Sequence, residues 1–155
     1  MDLVLWRHAE AHAARPGEDD GVRVLTSKGR RHAARVGAWL DRQLPAQCRI
    51  VSSPALRCRQ TAEALGRKFH LDVRLALDAS AARMLDAAGW PDGRGAVVLV
   101  GHQPLLGQAA ALVLCGQPFE WKVPKASVLW LGCKGDGGAP FIRLAAGPDL
   151  VARLR

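Results

Sequence analysis

After Met1-Asp2 the chain runs Leu3-Val4-Leu5-Trp6-Arg7-His8-Ala9-Glu10-Ala11. Four consecutive apolar residues followed at once by Arg-His read as a buried strand that delivers two polar groups at its C-terminal end. Open α/β sheets build their sites in this way, outside the carboxyl ends of parallel strands. The pattern recurs twice. Ala96-Val97-Val98-Leu99-Val100 is the clearest core strand of the sequence and empties into Gly101-His102-Gln103-Pro104. Arg49-Ile50-Val51-Ser52-Ser53 is a shorter strand, and Ser53-Pro54 then starts a helix that carries Arg57, because proline suits the first helical turn.

The remaining elements follow from periodicity. Ala13 to Gly21 holds Pro16, Gly17 and Glu18-Asp19-Asp20 and reads as an exposed loop. Thr26 is placed to cap a helix whose apolar face is Ala33, Val36, Gly37, Leu40 and Leu44, ending before Pro45, with Arg30, Arg31, Arg35 and Arg42 on the solvated side. The second helix runs from Ala55 to Leu65 and stops around Gly66. Val73 to Leu77 reads as a weaker strand, Ala79 to Ala88 as a short helix and Leu105 to Leu114 as another. Ser127–Leu131 and Phe141–Ala145 read as two strands joined by the turn Gly135-Asp136-Gly137-Gly138. Alternating strands and helices followed by strand-strand predict a three-layer α/β/α sandwich: a mainly parallel central sheet with an antiparallel edge strand.

At 155 residues the chain is expected to form one domain, residues 1–155. No apolar run reaches membrane-spanning length, and no basic n-region with an apolar h-region precedes the first strand, so a cytoplasmic protein without membrane partners is expected. Cys48, Cys58, Cys115 and Cys133 lack CxxC spacing, which argues against a zinc knuckle or a disulfide framework. The net charge of +8 comes from arginines spread along the chain, without a basic block or interleaved aromatics. That balance favours anionic ligands or acidic protein faces and does not point to nucleic acid. His8 and His12 stand four apart, but they follow a strand and lack the Glu directly after the first His of a zincin, so no metal is expected. The five tryptophans, Trp6, Trp39, Trp90, Trp121 and Trp130, read as packing, with Trp121 beside Lys122 and Lys125 open to a place at a pocket mouth.

In a doubly wound sheet the ends of parallel strands share one edge, so Arg7, His8, Arg57 and His102 can meet there. Two arginines and two histidines near a helix N-terminus form an anion site, and phosphate suits planar guanidinium forks best. Arg7-His8, Ser53-Pro54-x-x-Arg57 and Gly101-His102, in that order, resemble the signature of the histidine phosphatase superfamily, also called the phosphoglycerate mutase-like superfamily. The short length and Arg23-Val24-Leu25-Thr26-x-x-Gly29 resemble its compact phosphohistidine phosphatase branch, the SixA type. The likeness covers residues 3 to about 110. It departs at Ala9, where the family usually has glycine, adding a methyl group beside the pocket.

The resemblance implies that His8 is the nucleophile that takes the phosphoryl group, that Arg7, Arg57 and His102 hold its oxygens with Arg23 contributing, and that no cofactor is needed. The general acid stays open among Asp20, Glu10 and Asp78, with Asp20, three residues before Arg23, the favoured one. The implied activity is dephosphorylation of phosphohistidine in a protein, such as a phosphorelay domain, releasing inorganic phosphate. The alternatives are a small-molecule phosphomonoester phosphatase or mutase, and a catalytically silent module that binds phosphorylated ligands. No insertion long enough to cap the pocket separates the motifs, so an open site is expected.

Overall fold

A computed structural model describes residues 1–135 and 137–154. Its sheet has six strands: β1 (Asp2–Arg7), β2 (Cys48–Ser52), β3 (His70–Leu71), β4 (Ala96–Gly101), β5 (Val128–Cys133) and β6 (Pro140–Ala146), in the spatial order β3-β2-β4-β1-β5-β6. The first four in that order are parallel, and β5 pairs antiparallel with both β1 and β6. The antiparallel edge expected from the late strand pair is this hairpin. Of its turn, Asp136 lies outside the described residues; Gly135 and Gly137 have φ of 66° and 76°, which glycine adopts without a Cβ penalty.

Each central strand is buried on both faces, as parallel strands flanked by helices must be. Leu3 and Leu5 of β1 face one core with Val97 and Leu99; Val4 and Trp6 face the other with Val98 and Val100. The first core is covered by α3 (Ala81–Ala88) and α4 (Leu105–Cys115). The second is covered by α1 (Ser27–Gln43), α2 (Leu56–Glu63) and α5 (Pro148–Val151). Thr26 caps α1 by accepting from the Gly29 amide at 2.9 Å. The predicted apolar face of α1 is buried, and its four arginines are exposed. Gly29 is needed for close approach, since a Cβ there would stand 2.0 Å from the Glu10 carbonyl oxygen.

One expected strand is absent. Val73–Leu75 forms a 3-10 turn, and the edge strand is the two-residue β3 just before it. Asp72 caps the turn by accepting from the Arg74 amide at 2.9 Å, and only Leu75 is buried while Val73 and Leu77 are exposed. Side-chain capping by an aspartate competes with a sheet ladder, and a single buried anchor does not hold a strand against it.

Candidate active site

Register brings the two histidines together. β1 pairs with β4 so that Arg7 lies opposite Gly101, and the His8 amide donates to the Gly101 carbonyl at 3.0 Å. The residue after each strand end is a histidine, and the two rings lie 5.3 Å apart, centroid to centroid, at 61°. On the other side of β4, the Ser53 amide donates to Val100 at 2.9 Å, which sets the start of α2 and places Arg57 in its first turn. Thr61, one turn on, accepts from the Ala9 amide at 3.0 Å and donates to the Arg57 carbonyl at 2.7 Å, locking the helix to the end of β1.

The side chains form a connected cup. His8, Arg57 and His102 are 6%, 2% and 1% exposed. His8 Nδ1 lies 2.7 Å from the Ala9 carbonyl, which only accepts, so Nδ1 carries the proton and Nε2 keeps its lone pair. Arg57 Nε donates to that Nε2 at 3.3 Å. The same logic orders His102: Arg57 Nη2 donates to Nδ1 at 3.2 Å, and Nε2–H donates to Ser53 Oγ at 2.8 Å. Burial, working against the Ala9 carbonyl and with the charges of Arg57, Arg7 and Arg23, pushes His8 down to about 4. Burial and then Arg57 push His102 down to about 3. Both rings are neutral at physiological pH.

Arg7 reaches away from its strand to donate from Nη1 to the Val123 carbonyl at 2.8 Å, while its buried Nε has no partner among the described residues. Arg23 is fixed by its Nε bond to the His12 carbonyl at 2.7 Å. The three candidate acids separate. Asp20 enters the cup: its Oδ2 accepts from Arg57 Nη2 at 2.7 Å, its Oδ1 from Arg23 Nη1 at 3.0 Å, and its backbone carbonyl from Arg57 Nη1 at 2.8 Å. Partial burial pushes the Asp20 carboxyl up, but the bonds from Arg23 and Arg57 prevail and hold it below its ordinary value. Glu10 turns to the start of α1, accepting from Thr26 Oγ1 at 2.9 Å. Asp78 is exposed and makes no hydrogen bond or ion pair to the cup among the described residues. Neither Glu10 nor Asp78 therefore joins the group the sequence proposed.

Two contributions escape a reading of the sequence. Ser53 was legible as a helix start and as part of the Ser53-Pro54-x-x-Arg57 signature, without a role for its hydroxyl, which orients His102. Ala9, whose carbonyl holds His8 Nδ1, packs in a buried cluster with Ala11, Leu25, Ala33 and Ala126. Cys58, buried against the His102 ring at 3.4 Å from Nε2, has its thiol pushed up to about 12 by burial and is inert as a nucleophile.

A sheet whose adjacent core strands end on imidazoles beneath clustered guanidiniums defines a phosphoryl-transfer enzyme with a histidine nucleophile. The family profile of the histidine phosphatase superfamily (branch 1) matches residues 3–80. An uncharacterized protein of Picosynechococcus sp. is 37% identical over 142 residues, covering 84% of each chain. The candidate phosphohistidine phosphatase SixA of Nakamurella multipartitia superposes with a TM-score of 0.78 at 27% identity, covering 95% of both chains. The corresponding candidate SixA of Agrobacterium tumefaciens gives 0.75 at 26% identity, over 95% of this chain and 97% of the other. A structure of the protein histidine phosphatase SixA complexed with tungstate shares the fold with a TM-score of 0.79 at 21% identity, over 97% and 99%. The chain belongs to the histidine phosphatase superfamily, branch 1, and is a histidine-nucleophile phosphatase.

Proposed function

We propose that this protein removes the phosphoryl group from phosphohistidine in a protein, through a covalent intermediate on His8. The observation that carries the reading is the lone pair of His8 Nε2, kept unprotonated by the Nδ1–H bond to Ala9 and held toward the guanidinium of Arg57, whose long 3.3 Å bond to it an incoming phosphoryl group displaces. In the first step that lone pair attacks phosphorus while the P–N bond of the substrate breaks; the departing imidazole takes its proton from water. Arg57, Arg7 and Arg23 offset the charge on the non-bridging oxygens, and His102 donates to them once the bound dianion draws a proton onto its Nδ1 in place of the Arg57 bond. Phosphoryl transfer gains most from such fixed donors, because its loose transition state spreads charge over those oxygens. In the second step water attacks the phosphorus on His8, the new P–N bond breaks, and inorganic phosphate leaves with Nε2 restored.

The state of the carboxylates supports this substrate class. An alkyl phosphate departs as an alkoxide and needs a proton donor, whereas imidazole is a far better leaving group. Asp20 is held ionised by two arginines, Glu10 is engaged with Thr26, and Asp78 stands outside the cup. A site with a nucleophile and no protonated acid suits phosphohistidine over sugar phosphates. The test is three parallel assays: a phosphohistidine-bearing protein, a sugar phosphate and p-nitrophenyl phosphate. Rapid loss from the first alone is expected, with acid-labile, base-stable phosphate trapped on the enzyme and no trapping in His8→Ala. A preference for the sugar phosphate overturns the reading.

A further inference from the structure

α4 packs on β1 and touches β6, the outermost strand, yet Ile142 of β6 stays 52% exposed. The chain between α4 and β5 does not cover it but stands beside it as a wall. Trp121 and Val123 on this wall, Leu129 below, and Ile142 and Ala145 on β6 line a groove of about 570 Å³ whose surface is mainly apolar. The wall is built in. Gly107 of α4 approaches the Trp121 carbonyl so closely that a Cβ would lie 1.9 Å from its oxygen, and Gln103 Nε2 donates to the same oxygen at 2.6 Å.

The groove opens onto a second cleft. Lys122, Pro124, Ser127 and Gly147 border both, and the second continues past Lys125 and Lys28 to Arg7, the residue before His8. Lys122, Lys125 and Lys28 are exposed, and Arg7 Nη1 holds the Val123 carbonyl of the shared wall at 2.8 Å. Glu120 at the far end and Glu10 and Asp149 in the second cleft are the opposing carboxylates, and Glu10 is already engaged by Thr26 and faces Lys28 at 4.0 Å. An apolar trough with Lys122 on its rim, joined to a cleft where Lys125, Lys28 and Arg7 outnumber Glu10 and Asp149, fits one kind of occupant. A second copy of this chain, itself at +8, would bring lysines against lysines.

We infer that the groove along β6 docks an acidic, amphipathic segment of the phosphorylated protein substrate, apolar residues in the trough and carboxylates on Lys122 and Lys125. The inference rests on the proposed phosphoprotein substrate and adds where that protein is held. An amphipathic helix laid in an apolar groove is a recurring recognition mode, and rim charges tune its encounter.

The probe is a synthetic amphipathic helical peptide, with leucines along one face, glutamates flanking them and one histidine phosphorylated with phosphoramidate. Fluorescence anisotropy of the unphosphorylated, labelled peptide measures docking without turnover. Ile142→Asp and Lys122→Glu/Lys125→Glu, all at exposed positions, should each weaken binding on the order of ten-fold, with His8→Ala unaffected. KM for the phosphorylated peptide should rise similarly in both variants, with kcat unchanged and with hydrolysis of free phosphohistidine as in the wild type. Equal binding by wild type and variants, or none by the wild type, overturns the inference. So does a dimer in sedimentation that Ile142→Asp abolishes, which would assign the groove to self-association. Variant-sensitive docking without hydrolysis of either phosphorylated substrate would leave the groove standing and refute the proposed function instead.

Discussion

Asp20→Asn removes one negative charge from the mouth of the cup and leaves its scaffold in place. Arg57 keeps the Asp20 backbone carbonyl, and Arg23 keeps the His12 carbonyl. In the native chain the Asp20 carboxylate occupies donors of Arg57 and Arg23 that a phosphate also wants. A phosphate dianion must displace the carboxylate or sit beside it. At a separation of about 5 Å and near-bulk screening, the repulsion is about 1–2 kcal/mol. Near-bulk screening is the right limit, because the Asp20 side chain is 44% exposed and exposed ion pairs contribute little beyond that scale. Asparagine should therefore tighten inhibition by inorganic phosphate by roughly five- to thirty-fold. Product inhibition and calorimetric titration of phosphate both read this, and kcat on phosphohistidine should hold within about two-fold. Unchanged or weaker phosphate inhibition would refute the competing-anion account. A loss of kcat of about a hundred-fold would instead restore Asp20 as a general acid.

The buried, neutral histidines make stability depend on pH. His8 and His102 have folded values of about 4 and 3, below an unfolded value near 6.5, so the unfolded chain binds more protons as pH falls. Their contribution is full above pH ~6.5 and is lost on acidification toward the folded values, at up to about 1.4 kcal/mol per pH unit for each ring. Urea unfolding between pH 6.5 and 5 should show this slope, reduced in His8→Ala; a flat profile contradicts the burial of the pair. For the same reason the acid limb of kcat/KM assigned to His8 should have its midpoint near 4, and a midpoint near 6.5 would mean that the ring is solvated. Ser53→Ala orphans the Nε2–H of His102 and should cost about 1–2 kcal/mol of stability and lower kcat. Rescue by Ser53→Thr would show that the hydroxyl, and not the side-chain volume, orients the ring.

The central strands and the ends they carry were readable because an apolar run that stops at Arg-His or Gly-His leaves few other arrangements. The apolar face of α1 and its Thr26 cap were readable through local spacing and a local hydrogen bond. The expected strand at Val73 failed because Asp72 makes a local bond stronger than the weak alternation around it. Asp20 illustrates a different boundary. Its position three residues from Arg23 was visible, but its pairing with Arg57, 37 residues away, comes from how the 12–23 loop folds over α2. The methyl of Ala9, expected beside the pocket, packs in a buried cluster with Ala11, Leu25, Ala33 and Ala126, neighbours that spacing along the chain does not reveal. Direction after a strand end is a tertiary property that the residue types themselves do not encode.

The His8 and Ser53 amides both donate to carbonyls of β4, a strand buried along its whole length. Hydrogen exchange at these two positions should therefore be among the slowest in the chain, tied to opening of the sheet. The reactive floor is as durable as the molecule, and substrate preference can drift only through its rim, the 12–23 loop and the 119–125 wall, where substitutions leave the floor intact.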